Sequence, residues 1–462
     1  MKIIIYIIWL NLSISIVVLP FKTSYVNKNG KIDQNSKEYN STHFMNDYFI
    51  RLLYTTIEMG NPPQEIKVLI TYEDCGYKIG LAKKCINDSN YLSHYDRNIS
   101  KDFNFTDIYP YHMYEFGSDS CSAEDSIHLF TDTKLKKYEY FKKLGFYLGS
   151  DTDQPLCGVI GLSMNNYQNY CPLLSFISNL KLRDIIENYK WILNYTSDDE
   201  GQLIIGINMK DVIPKFDENK LFSIYSRKTG GSWSFDFDRI IIGDNLDEIT
   251  YSEQWIEIIS DFSFLIGSEK YRKYIEEYFY DEFEKGICSQ NIYFYEFNKN
   301  YYIIECDKEK VSKEMIKNFP SLTFINRKLG TDIYFDGKQL FTETKYKYFF
   351  NVIFSVFEGS LWKFGQLFLK NYPVMMNLDQ EVIEIYNSKE EDDNGKNSKN
   401  FSTGLLTLYI ILIIVLVSIT GVTCYFLGKY LNKMRKRKAN ELSDDEYDYT
   451  SKEEINRASE NT

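Results

Sequence analysis

Residues 54–75, YTTIEMGNPPQEIKVLITYEDC, constrain the fold of this chain more than any other stretch. Residues 54–59 are β-rich, Gly60-Asn61-Pro62-Pro63 is punctuation, and residues 66–70 are an apolar run, so the pattern predicts two strands joined by a tight turn. The second strand runs straight into a polar tetrad, Thr71-Tyr72-Glu73-Asp74. A turn at the end of a buried strand holds its side chains at the lip of a cleft, where catalytic and binding groups often sit.

The ends of the chain predict a membrane topology. Met1-Lys2 precedes an apolar run too short and too near the terminus for a stable span, so residues 1–22 read as a signal peptide. Residues 23–45 are polar and Asn/Lys-rich and read as a loose leader. Residues 404–428 are almost uninterrupted apolar sequence, long enough to cross about 30 Å of hydrocarbon as a helix. Lys429, Lys433, Arg435, Lys436, Arg437 and Lys438 follow this span, whereas the 388–403 linker before it is acidic and polar. The positive-inside rule then puts the C-terminus in the cytoplasm and the ectodomain in the lumen or outside the cell. The 429–462 tail has no apolar pattern and reads as solvated. These features describe a single-pass protein of the secretory pathway or plasma membrane. With a formal net charge of −12 and no basic stripe outside the juxtamembrane cluster, nucleic acid is excluded as a partner.

Residues 46–387 are too many for one typical core and suit two lobes, 46–214 and 215–387. Strand-like runs recur at 202–207, 235–241, 292–297 and 301–304, while helical periodicity is confined to short pieces at 173–180 and 270–279. The expected fold is mostly β. Seven cysteines, at 75, 85, 121, 157, 171, 288 and 306, fall in the ectodomain with neither CxxC nor metal-like spacing, so disulfides are the leading interpretation. Cys75 with Cys85, and Cys288 with Cys306, would each close a short loop. Sequons at Asn40, Asn87, Asn98, Asn104, Asn194 and Asn400 would face an oxidising lumen. An internal echo supports two lobes. The 66–70 strand ends in its tetrad and is followed at a distance by Val159-Ile160-Gly161. The 255–259 strand runs into Ser260-Asp261-Phe262-Ser263 and is followed by Trp362-Lys363-Phe364-Gly365.

These motifs resemble pepsin-like aspartic proteases over most of residues 50–387. In that family a strand, a G-x-P-x-Q turn and a second strand deliver Asp-Thr-Gly-Ser to the active site, and each lobe's catalytic loop is crossed by an apolar-apolar-Gly strand. Tyr114 with Gly117-Ser118 is similar to the Y-x-x-G-S form of the flap that closes over substrate. Residues 201–206 are similar to the strand that ends the N-lobe, and residues 364–377 to the family's closing strand. The membrane anchor, the Cys288/Cys306 pair and residues 319–324 are similar to the branch that includes plasmepsin V and the β-secretases. The resemblance implies a bilobal fold with a cleft, a flap and two facing aspartates. Counting from Gly60 and back from Gly267, however, the catalytic positions fall on Thr71 and Ile259.

Two carboxylates sharing one proton are the family's chemistry, and neither a threonine nor an isoleucine can take that part at neutral pH. The expectation is therefore an inactive homologue that binds an extended peptide or a secretory protein in its cleft, with no cofactor and no metal. One alternative is an active endopeptidase using the displaced Asp74 and Asp261, which stand three and two residues beyond the expected positions. Another is a glycosylated structural or adhesive ectodomain. The four histidines, His43, His94, His112 and His128, show no metal-binding spacing, and no glycine-rich phosphate loop or nucleophile elbow is present.

Overall fold

The computed structural model describes residues 16–25, 36–72, 76–80, 95–106, 121–149, 158–164, 175–227, 231–243, 247–249, 254–295, 299–355, 361–387 and 427–431. The chain divides into two compact units, Met1–Ser388 and Lys389–Thr462. Apart from Leu427 and Gly428, the expected span at 404–428 lies outside the described residues. Among the described residues no helix is long and apolar enough to cross a membrane.

The first unit is mostly β. Its anchor is the expected hairpin: the Arg51–Met59 strand pairs antiparallel with Gln64–Thr71, from Leu53↔Ile70 to Met59↔Gln64. Gly60 turns the chain between them at φ +87°, a left-handed conformation that a Cβ would strain. Along Arg51–Met59, buried residues alternate with more exposed ones, the period of a strand whose two faces meet different surroundings.

Thirteen of the described strands join into one sheet. From one edge of this sheet inward both halves of the chain interleave: Leu221–Tyr225, Val382–Tyr386, Val374–Asn377, Lys190–Tyr195, Glu200–Ile205 and Val17–Tyr25 lie side by side in that order. The halves are joined there by backbone, with Met375 opposite Ile192 and Met376 opposite Trp191. The second half builds a nine-stranded sheet around Trp255–Ile258, Leu361–Phe364 and Leu265–Ser268, and a four-stranded one that includes Leu322–Asn326. Cys288 and Cys306 face each other across paired strands and form a disulfide. Cys75, Cys85, Cys157 and Cys171 lie outside the described residues.

Two boundaries differ from the sequence reading. Residues 17–22, assigned there to a signal peptide, belong to the Val17–Tyr25 strand, which fills the gap between Glu200–Ile205 and Arg51–Met59. Val17, Leu19 and Phe21 enter the main core from one face and Val18 enters a second cluster from the other. A strand buried on both faces is continuously apolar, and so is the middle of a signal peptide. Burying four such side chains contributes about 6–12 kcal/mol, comparable with the net stability of a whole domain. The expected leader also holds structure. Asn40 caps the Ser41–Tyr48 helix, and Phe44 and Met45 are buried in a cluster with Phe49 and Phe349.

Candidate functional site

Each half delivers one loop to the site by the same device. In the first, Gly158–Gly161 runs parallel to Gln64–Thr71, with Thr71 opposite Gly161. Leu162 N donates to Thr71 O at 2.8 Å, and Gly161 N donates to Gly76 O at 2.8 Å. In the second, Leu361–Phe364 runs parallel to Trp255–Ile258, and Ile259 N donates to Phe364 O at 3.0 Å. Gly365 then passes beneath the loop, its N–H reaching Phe264 O at 3.0 Å, while Gln366 N reaches Phe262 O at 2.6 Å. A Cβ on Gly365 would sit 2.3 Å from Phe262 O and 2.5 Å from Phe264 O, so only glycine allows the crossing. The internal echo is thus the same crossing built twice.

The two loops meet through hydroxyls. Tyr72 N donates to Ser260 Oγ at 3.1 Å, and Ser260 Oγ donates to Asp261 Oδ1 at 2.6 Å. Thr71 Oγ1 donates to Asp261 Oδ2 at 2.7 Å. Thr71 and Ser260 are buried, whereas Asp261 is half-buried. Beneath them the buried amide of Gln366 donates to Ser260 O at 2.7 Å and to Arg51 O at 2.6 Å. Arg51 N closes the ring by donating to Asp261 O at 2.9 Å. Backbone and side chain therefore hold the Asp261 turn from three directions.

A second tie lies nearby. Trp233 Nε1 donates to Leu162 O at 2.8 Å, and Ser163 Oγ donates to Gly231 O at 2.6 Å. Trp191 packs edge-on against Trp233, with ring centroids 5.3 Å apart. Burial pushes the phenols of Tyr72 and Tyr195 above their ordinary range, so both are neutral hydroxyls. The Arg51 side chain pairs with Asp199, and Lys370 Nζ lies 3.6 Å from Asp198. Burial, and after it the Arg51 charge, pull the Lys370 ammonium down to about 8.

Of the residues singled out in the sequence, the fold brings together Thr71 and Asp261. Ile259 is 1% exposed, packed with Phe44, Phe264, Ile266 and Tyr301 in the core, and its side chain takes no part in the polar contact. Asp74 lies outside the described residues, as do Tyr114, Gly117 and Ser118 of the expected flap. Of the candidate sequons, Asn98 and Asn104 are exposed, Asn194 is half-buried in a strand, and Asn87 lies outside the described residues. Sequence reasoning passed over Ser260 as a bridging group, and over Gln366 and Arg51 as its supports. For Gln366 there was a signal, its place directly after the apolar-apolar-Gly motif; Arg51 carried none.

Chemically, a threonine hydroxyl bound to one carboxylate cannot reproduce two acids sharing a proton, because the hydroxyl is no base near neutral pH. The arrangement ties loop to loop through a half-buried carboxylate that accepts a hydroxyl on each oxygen.

No protein-family model matches this chain, and no curated protein matches it. Among solved structures it is similar to the crystal structure of Basic 7S globulin from soybean, at 13% identity and a TM-score of 0.54 over 81% of this chain and 96% of that one. That protein has the pepsin-like fold. The likeness shows the fold of this chain to be that of the aspartic proteases.

Proposed function

We propose that this chain is a catalytically inactive aspartic-protease-like scaffold, anchored in a secretory-pathway or plasma membrane, that holds an extended peptide or a segment of a secretory protein between its lobes. One observation carries the reading: where the chemistry requires facing carboxylates, Thr71 donates to Asp261 and Ile259 is packed into the core. A scaffold of this kind binds extended chains through backbone hydrogen bonds and side-chain pockets, neither of which needs a catalytic acid. The apolar 404–428 segment, its basic flank and the Cys288–Cys306 disulfide, a bond of oxidising compartments, support the anchored topology.

The test uses the full-length chain purified in detergent. Incubated at acid pH with a diverse peptide library, it is expected to leave every peptide intact while retaining some of them in a pull-down. A second reading, an endopeptidase using Asp74 and Asp261, is favoured by the position of Asp261 at the loop junction. Cleavage that disappears in both Asp74→Ala and Asp261→Ala would establish it and end the first reading.

A further inference from the structure

Strand Val17–Tyr25 and the signal-peptide pattern make competing claims on the same residues, and the sequence between them offers a way to meet both. The structure needs everything from Val17 onward. Val17 to Lys22 form all six rungs with Glu200–Ile205, from Val17↔Ile205 to Lys22↔Glu200. Phe21 to Tyr25 pair on the other side with Thr55 to Arg51. Thr55 Oγ1 donates to Pro20 O at 2.7 Å, and Thr23 reaches Asp199 with both its backbone N–H, at 2.7 Å, and its hydroxyl, at 3.0 Å. A cut after residue 22 would remove every rung with Glu200–Ile205 and leave two open strand edges inside a sheet. Ile16, one residue before the first rung, is partly buried against the Val18, Ile192 and Ile204 cluster.

The targeting pattern needs a positive start, an apolar run of about 7–15 residues and two small side chains separated by one residue just before the cut. Met1-Lys2 supplies the first and residues 3–12 the second. Ser13-Ile14-Ser15 supplies the third, and it is the one small-x-small pair between residues 3 and 25.

We propose that the chain is processed between Ser15 and Ile16 by a membrane-bound peptidase that accepts small side chains on the leaving segment. Water adds across the amide: its hydroxyl goes to the Ser15 carbonyl carbon, the C–N bond breaks, and the proton goes to the Ile16 nitrogen as a new amino terminus. The product begins one residue ahead of the strand, so processing removes the targeting segment and keeps the centre of the sheet whole. The first strand of the mature protein is then made of residues that follow the cut directly, not of a leader.

The inference rests on the lumenal topology proposed above, and the experiment separates the two. The full chain, carrying a C-terminal tag, is expressed in cells with a secretory pathway, with protease protection of microsomes as the readout of topology and terminal sequencing as the readout of processing. The expected result is a protected ectodomain, a digested tag and a chain that starts at Ile16. Ser15→Phe is expected to abolish that terminus and retain residues 1–15. A protected ectodomain starting at Pro20 or later, or at Met1, overturns the processing site and leaves the topology standing. A chain starting at Met1 with its ectodomain digested overturns both.

Discussion

Replacing Ser260 by alanine isolates the contact on which the loop junction depends. The hydroxyl is fully buried, accepts from Tyr72 N at 3.1 Å and donates to Asp261 Oδ1 at 2.6 Å. Its loss leaves a buried backbone N–H unpaired, at about 1–3 kcal/mol, and removes one donor from a carboxylate, at about 1.5–3 kcal/mol. Water can reach the half-buried Asp261 and replace part of the second contribution, so a total near 3 kcal/mol is expected. In a unit of this size, where melting moves by about 1–2 °C per kcal/mol, that is a fall of about 3–6 °C. Thr71→Val removes the hydroxyl bond to Asp261 Oδ2 and is expected to cost about 1–2 kcal/mol. Because both hydroxyls act on the same carboxylate, the double variant should fall short of the sum. Calorimetry on the three variants and the parent tests this. A Ser260→Ala melting point within 1 °C of the parent would refute the claim that this hydroxyl holds the loops together.

Three further outcomes follow from the geometry. Gly365→Ala is expected to abolish folded yield, because its Cβ would meet two backbone carbonyl oxygens inside 2.6 Å, whereas Gly286→Ala, with nothing within 4 Å but a φ of +62°, should cost only about 1 kcal/mol; soluble expression distinguishes them. The Lys370 ammonium is held near 8 in the fold, against about 10.4 in an unfolded chain, so between those values the unfolded chain holds a proton that the folded chain has lost. Stability should therefore rise with pH across that window by about 1–3 kcal/mol, and Lys370→Met should flatten the rise and be no less stable than the parent at pH 7, as read from urea midpoints. Replacing both Cys288 and Cys306 by alanine opens a loop with a sequence separation of 18 and should cost about 3 kcal/mol, seen as a lower urea midpoint.

Much of the local architecture was legible in the sequence. The hairpin around Gly60 announced itself through turn residues between two β-rich runs, and the structure pairs Leu53 with Ile70 as that pattern requires. The runs at 202–207 and 301–304 correspond to Glu200–Ile205 and Lys299–Asp307, and the helical piece at 270–279 to Glu269–Glu276 with a short 3-10 turn after it. The paired crossings were readable because both carry an apolar-apolar-Gly pattern, and at Gly365 two backbones touch where only glycine fits. What failed was the reading of residues 17–22, since an apolar run has the same appearance whether it enters a bilayer or the middle of a sheet.

The sequence by itself determined where many of the strands lie, which motifs recur, and that the positions expected from the motif spacing hold Thr71 and Ile259, because these are matters of neighbouring residues and spacing. Only the tertiary structure decided that Asp261 turns to meet Thr71, across 190 residues of chain, while Ile259 turns into the core. The physical reason is that a loop's direction is set by what crosses beneath it and beside it. Here those are Gly365, Gln366 and Arg51, and their positions follow from backbone pairing between distant strands.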